Sequence, residues 1–235
     1  MFSLRNSSPC QRGFTLLELA IFIVALSFLL SGVLMPLTVQ IQQQRIRETQ
    51  NRLETIQEAL IGFVLINGYF PCPDTDFNGM ENRSSTGLTC TKIEGYIPYA
   101  QLGVEGKDAW NNPIRFRTRN RYAQNSGIDF SSPSDLVIRR LNNEQLTNTT
   151  DSNVLAIIYS CGKNGRPDPT PESDLEKTND ADGITEASMT CKNNGNNEEN
   201  YIADSFNTEF DDIVIWISKE TMIYRLTQAG KYGAK

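Results

Sequence analysis

Residues 13–35 read GFTLLELAIFIVALSFLLSGVLM, an apolar run interrupted by a single charge, Glu18. No further charged side chain follows until Arg45. A helix of about 20 apolar residues spans the roughly 30 Å hydrocarbon core of a bilayer, so the run has membrane-spanning length. Glu18 contradicts a simple anchor, because a carboxylate inside such a segment is costly unless it is partnered. An ordinary secretory signal would have a shorter apolar core ending at a small-residue cleavage site. An uncleaved anchor accounts for the length but for neither Glu18 nor the glycine before Phe14.

Working outward from this run, residues 1–13 carry Arg5 and Arg12 and no acid, which keeps that end cytoplasmic and sends the C-terminal part outward. Pro36 follows the run and removes one helical hydrogen bond, so it should bend the rod. Residues 37–68 then become amphipathic. Ile46, Leu53 and Leu60 recur every seven residues, with Ile56 and Phe63 interleaved, and the stripe they form is expected to pack on the sheet of its own domain. Asn67 and Gly68 end the helix.

Composition removes most catalytic templates. The chain of 235 residues contains no histidine, which excludes Ser-His and Cys-His pairs and imidazole zinc sites, and an enzyme is not expected. A net charge of -6 makes nucleic acid an unexpected partner. Arg115, Arg117, Arg119 and Arg121 alternate in one run and would share one face of a strand, read here as a solvated or edge-protecting face.

Cys72, Cys90, Cys161 and Cys191 remain once Cys10 in the N-terminal segment is set aside. An even count in an exported domain reads as two disulfides with three possible connectivities; the local one, Cys72 with Cys90 and Cys161 with Cys191, closes two irregular loops. A zinc site would need closer cysteine pairs. Within the first loop, Asp74, Asp76 and Asn78 with Gly79 reproduce the opening of a calcium loop, D-x-D-x-N-G, so calcium is the cofactor this loop would take. The bidentate glutamate that closes such a loop is replaced by Ser85, with Glu81 close by.

Further along, DAWNNPIRFRTR gives a turn at Asn111, Asn112 and Pro113 followed by a strand. Val154–Tyr159 reads as a buried strand that breaks at Cys161 and Gly162, and Phe210–Ile217 as a final strand. Ser218 caps a last short helix that stops at Gly230. Residues 166–200, which include Asp180, Asp182 and Glu186, hold too few large apolar side chains to pack alone and read as a long loop or partly disordered insert.

Gly13, Phe14, Thr15, Leu16, Leu17 and Glu18 with the apolar run behind them resemble the cleavage and methylation signal of type IV pilins and type II secretion pseudopilins. The resemblance implies cleavage by a prepilin peptidase between Gly13 and Phe14 and N-methylation of Phe14. It implies that Glu18 sets register in assembly, where a neighbour's terminal amine neutralises it in an apolar setting. DAWNNPIRF, IYSCGKNG and FDDIVIW are similar in turn to the D-P-W-G-N-P, S-x-G-x-D-G and D-D-I-x-x-W segments of major pseudopilins. Asn164 stands where that pattern has aspartate, and the cysteines would replace the family's calcium as a loop staple.

The expected architecture is α+β: a leader (1–13), a transmembrane and filament-core helix (14–36), an amphipathic stalk helix (37–68) and a globular pilin-like head (69–235). The long bent helix would pack against an antiparallel sheet with disulfide-stapled loops. The implied function is that of a structural subunit of a secretion or pilus-like filament, with a membrane-anchored binding module or filament-tip adhesin as the alternative. The implied partners are other pilin or pseudopilin subunits, prepilin peptidase, an inner-membrane assembly platform and, before assembly, membrane lipid. The location would be the bacterial inner membrane, single-pass with the C-terminal domain periplasmic, and then an extracytoplasmic filament.

Overall fold

A computed structural model describes residues 15–131, 133–134, 136–140, 142, 144–147, 153–163, 165, 200–206 and 210–232; within helix α1 the side chains of residues 29–37 are not among those described. The long loop predicted for residues 166–200, with Asp180, Asp182 and Glu186, therefore lies outside the described residues except at its last position, and so do Gly13, Phe14 and Cys191.

Helix α1 runs from Leu16–Asn67, its helical backbone continuing through Pro36. The chain divides into two compact units, Met1–Gln44 and Arg45–Lys235. In the first, apolar side chains are exposed around the helix, among them Leu16, Leu17, Ile21, Phe22 and Phe28. Among the described residues no helix is long and apolar enough to cross a membrane.

In the second unit the helix buries a stripe of Leu53, Ile56, Leu60, Ile61 and Val64. Val64 occupies the inward place expected for Phe63, which is half-buried and meets the edge of Tyr69 instead. The reason is angular: at 3.6 residues per turn Phe63 lies about 80° from Leu53 around the helix, and Val64 about 20°. The stripe packs on Ile114, Phe116, Leu155, Ile158, Ile213 and Ile217 in one continuous apolar core.

The sheet beneath it is four-stranded and antiparallel, in the order β1 (Glu94–Tyr96), β2 (Arg115–Thr118), β4 (Val154–Ser160) and β6 (Ile213–Ser218). Short helices α2 (Tyr99–Leu102) and α3 (Asn120–Ala123) flank β2 in sequence. A parallel two-stranded sheet, β3 (Val137–Arg139) with β5 (Asn200–Ile202), supplies a further layer. Its Leu136, Ile138 and Tyr201 form a second apolar cluster with Ile157, Tyr159 and Val214 of β4 and β6. Helix α4 (Lys219–Gln228) begins as expected at Ser218, whose hydroxyl accepts the Thr221 N–H.

This second layer corrects the reading of the arginine run. Arg115 and Arg117 are 1% and 0% exposed rather than solvated, and Arg119 and Arg121 lie beyond the strand. Period-two spacing does place Arg115 and Arg117 on one face. It does not say whether that face meets water, and here the opposite side of β2 is covered as fully as the helix side.

Cys72 and Cys90 form a disulfide, and Cys161 is also disulfide-bonded. The loop closed by Cys72–Cys90 lies against the free edge of β1, where Asp74 and Tyr96 exchange backbone hydrogen bonds of 2.9 and 2.7 Å. Gly95 permits this approach, since a Cβ there would stand 2.5 Å from the Asp74 carbonyl oxygen.

The disulfide closes a sequence separation of 18 residues. Replacing both Cys72 and Cys90 by serine is expected to lower unfolding free energy by about 3 kcal/mol, measured by urea titration of the full chain in mild detergent.

Candidate assembly site and interior polar clusters

At the helix N-terminus, Thr15 and Glu18 close on each other. The Thr15 hydroxyl accepts the Glu18 N–H at 3.2 Å, while Glu18 Oε2 accepts the Thr15 N–H at 3.3 Å and its hydroxyl at 3.2 Å. The Thr15 carbonyl takes the first helical hydrogen bond, from Leu19. This is a capping box, in which an N-cap threonine and a glutamate three residues on satisfy donors that the helix leaves open. The motif T-x-x-E was legible in the sequence and gives Glu18 a local role beside the assembly role that the resemblance implies. The carboxylate also sits where the positive end of the helix dipole favours it.

In the head, Asp108 organises the turn after α2. One carboxylate oxygen accepts the N–H groups of Trp110 and Asn112, and the other accepts the Ser160 hydroxyl at 2.6 Å. Ser160 Oγ accepts the Gly162 N–H in turn, and the Asn112 amide donates to the Gly162 carbonyl. Gly162 adopts φ +57° within van der Waals reach of Asp211, which admits no side chain. The segments DAWNNP and SCG, distant in sequence, are thus bolted together. On the other side Arg52 of α1 donates to the Lys107 and Asp108 carbonyls, and the Thr49 hydroxyl accepts the Ala109 N–H. Burial raises the Asp108 carboxyl above the ordinary aspartate value, against the opposing effect of its hydrogen bonds and of Arg52.

A second cluster lies on the face of β2 turned away from α1. Glu94 is fully buried; one of its oxygens accepts Arg117 Nη1 at 2.6 Å, and the other accepts the hydroxyls of Tyr159 at 2.6 Å and Tyr201 at 2.9 Å. Desolvation, reinforced by the Glu94 charge, holds both tyrosine hydroxyls well above their usual range, so they remain donors. Arg117 is held charged, since its partners outweigh the cost of burial. Sequence reading found the arginines but not Glu94, Tyr159 or Tyr201. Cross-strand register joins them, pairing Glu94 with Arg117 and Arg115 with Tyr159.

The calcium-like segment is closed by its own hydrogen bonds. Asp74 is buried and accepts the N–H groups of Asp76 and Gly79, one on each oxygen. Asp76 accepts the Asn78 amide, and Asn78 accepts the Met80 N–H. Burial, opposed chiefly by the Gly79 N–H, lifts the Asp74 carboxyl above its ordinary value. Among the described residues no group of three carboxylate or thiol side chains stands together as a metal site.

A family model described as the prokaryotic N-terminal methylation motif matches residues 8–34. The matched residues include the Thr15–Glu18 box and much of the apolar run, and they constitute a prepilin signal of the type IV pilin kind. In comparisons with curated proteins and with solved structures, nothing matches this chain. The head itself, a helix packed on an antiparallel sheet with a disulfide-closed loop, is consistent with a pilin-like fold.

Arg117→Met removes the guanidinium paired with the buried Glu94 carboxylate and is expected to cost about 3–5 kcal/mol of stability, whereas the double variant with Glu94→Gln should cost less than the single one. Denaturant titration of the three proteins checks this. Because the folded state raises the Asp108 pKa, the native protein binds that proton more tightly than the unfolded chain; its contribution to stability therefore grows as pH falls toward the raised pKa. Acidification from neutral pH should accordingly stabilise the wild type relative to Asp108→Asn, and a parallel pH dependence for the two would refute the assignment.

Proposed function

We propose that the chain is a structural subunit, a pseudopilin or minor pilin, of a type II secretion or type IV pilus-like filament. The observation that carries this reading is the methylation motif over residues 8–34, joined to a helix whose apolar side chains stand exposed on the isolated molecule. A helix apolar all round is stable in water only when something covers it. Lipid does so before assembly, and neighbouring stalks do so afterward.

On this reading a prepilin peptidase cuts between Gly13 and Phe14 on the cytoplasmic side of the inner membrane, and the Phe14 amine is methylated. The new terminus places a cation one residue before the Thr15 cap. In the filament that cation meets Glu18 of an adjacent subunit, and a misaligned neighbour leaves a charge unpaired. The assembly platform draws subunits from the membrane, and head-to-tail contact that does not close produces a filament. The head is extracytoplasmic, which suits its disulfide. Calcium enters only as a ligand that Asp74, Asp76 and Asn78 would take in place of their present hydrogen bonds.

One feature favours a membrane-anchored binding module as the second reading, a cleft of about 580 Å³ lined by Phe77, Tyr99, Lys107 and Asn111 among others. Glu18→Ala separates the two. A filament subunit carrying it is cleaved but fails to assemble, whereas a binding module retains its activity. Intact-mass and N-terminal peptide analysis should find N-methylated Phe14 at the mature end, and a protein that keeps Met1 would overturn the processing step.

A further inference from the structure

On the face of β2 turned away from α1, two buried guanidinium groups stand close together in sequence, and among the described residues only one of them has a carboxylate partner. Arg115 and Arg117 contribute two guanidinium groups to one face of β2, and Glu94, the carboxylate paired with Arg117, is also engaged by Tyr159 and Tyr201. Among the described residues these two guanidinium groups share one hydrogen-bonded carboxylate, Glu94, and it is bonded to Arg117. Arg115 is 1% exposed, and its Nε, Nη1 and Nη2 have no hydrogen-bond acceptor among the described residues; Nε and Nη2 of Arg117 are in the same position. The Tyr96 ring lies 4.6 Å from the Arg115 guanidinium carbon. Such a ring attracts the cation but leaves the in-plane N–H groups unsatisfied.

An arginine does not escape this position by losing its proton. A buried charge without a counter-charge is among the most costly arrangements in a protein interior, and a guanidinium carries five donors aimed outward in a plane. The hydroxyls of Tyr159 and Tyr201 donate to Glu94, and the Tyr201 oxygen still faces Arg117 as an acceptor, but both hydroxyls are neutral and supply no counter-charge for Arg115. With Arg115 almost wholly enclosed, a macromolecular partner has no route to it, whereas a small ion can be trapped as the two layers close.

We propose that Arg115 and Arg117 bind one small monovalent inorganic anion, of the chloride class, between the two layers of the head. A single negative charge supplies the counter-charge that Arg115 lacks among the described residues, and the uncommitted N–H groups of Arg115, with Nε and Nη2 of Arg117, would supply its coordination. Arg115 is the principal ligand, since none of its nitrogens is committed elsewhere. The ion would be a structural part of the head, independent of the N-terminal assembly signal.

The full chain in nonionic detergent tests this, with chloride exchanged stepwise for gluconate at constant ionic strength. Gluconate is too large for an enclosed site. The melting temperature should rise on the order of 3 °C for each tenfold increase in chloride above its Kd. The ³⁵Cl resonance should broaden in the presence of the protein. Both responses should vanish in Arg115→Met, in which the Glu94–Arg117 pair remains balanced and near-UV circular dichroism reports the fold. They should persist in Arg47→Met, a change at an exposed position. Equal melting in the two salts with no line broadening overturns the proposal, as does a chloride response that Arg115→Met leaves intact. Should Arg115→Met fail to fold, the wild-type salt response and line width decide alone.

Discussion

Strand β2 is covered on both faces, and much of the head follows from that constraint. On one side Phe116 meets the α1 stripe; on the other Arg115 and Arg117 are buried, Arg115 against the ring of Tyr96 and Arg117 against that of Tyr201. A sheet enclosed on both sides can carry charge only if that charge is answered within reach. Glu94 is therefore buried, and the two tyrosines turn their hydroxyls toward it. Replacing such a pair by apolar side chains is often neutral, so the cluster is better understood as fixing the alignment of β1, β2, β4 and β5 than as a source of net stability.

The Asp108 turn plays the matching part on the helix side. Arg52 and Thr49 on α1 bind the backbone of the turn, and Ser160 and Gly162 bind its other flank at the end of β4. Helix, turn and sheet are thereby located by directional bonds as well as by apolar contact, which is non-directional. The segments DAWNNP and YSCG, far apart in sequence, are the two halves of this one connection. Their shared function in this head is mechanical, and it requires an aspartate, a small hydroxyl and a glycine at those places.

The N-terminal unit obeys a different constraint. Its apolar side chains find no cover within the described unit, and its acid is satisfied by Thr15 for as long as the helix stands alone. The capping box satisfies Glu18 without a partner protein, because the carboxylate accepts hydrogen bonds from its own helix terminus. On the proposed filament reading, a neighbour's amine would add to, or replace, bonds already present.

Local pattern was enough to read the prepilin signal, the start and end of the helices at Ser218 and Asn67, the loop closed by Cys72 and Cys90, and, with ends displaced by one to three residues, the strands expected at 154–159 and 210–217 and found at Val154–Ser160 and Ile213–Ser218. Each depends on residues close in sequence or on a periodicity that one element displays by itself. The inward turn of Val64 in place of Phe63, the burial of Arg115 and Arg117, and the convergence of Glu94, Tyr159 and Tyr201 were decided by tertiary structure. Alternation along a strand tells which side chains share a face. Only the pairing of strands and the layer laid across them determine whether that face meets water, and therefore whether an arginine there is a solvated charge or the centre of an interior site.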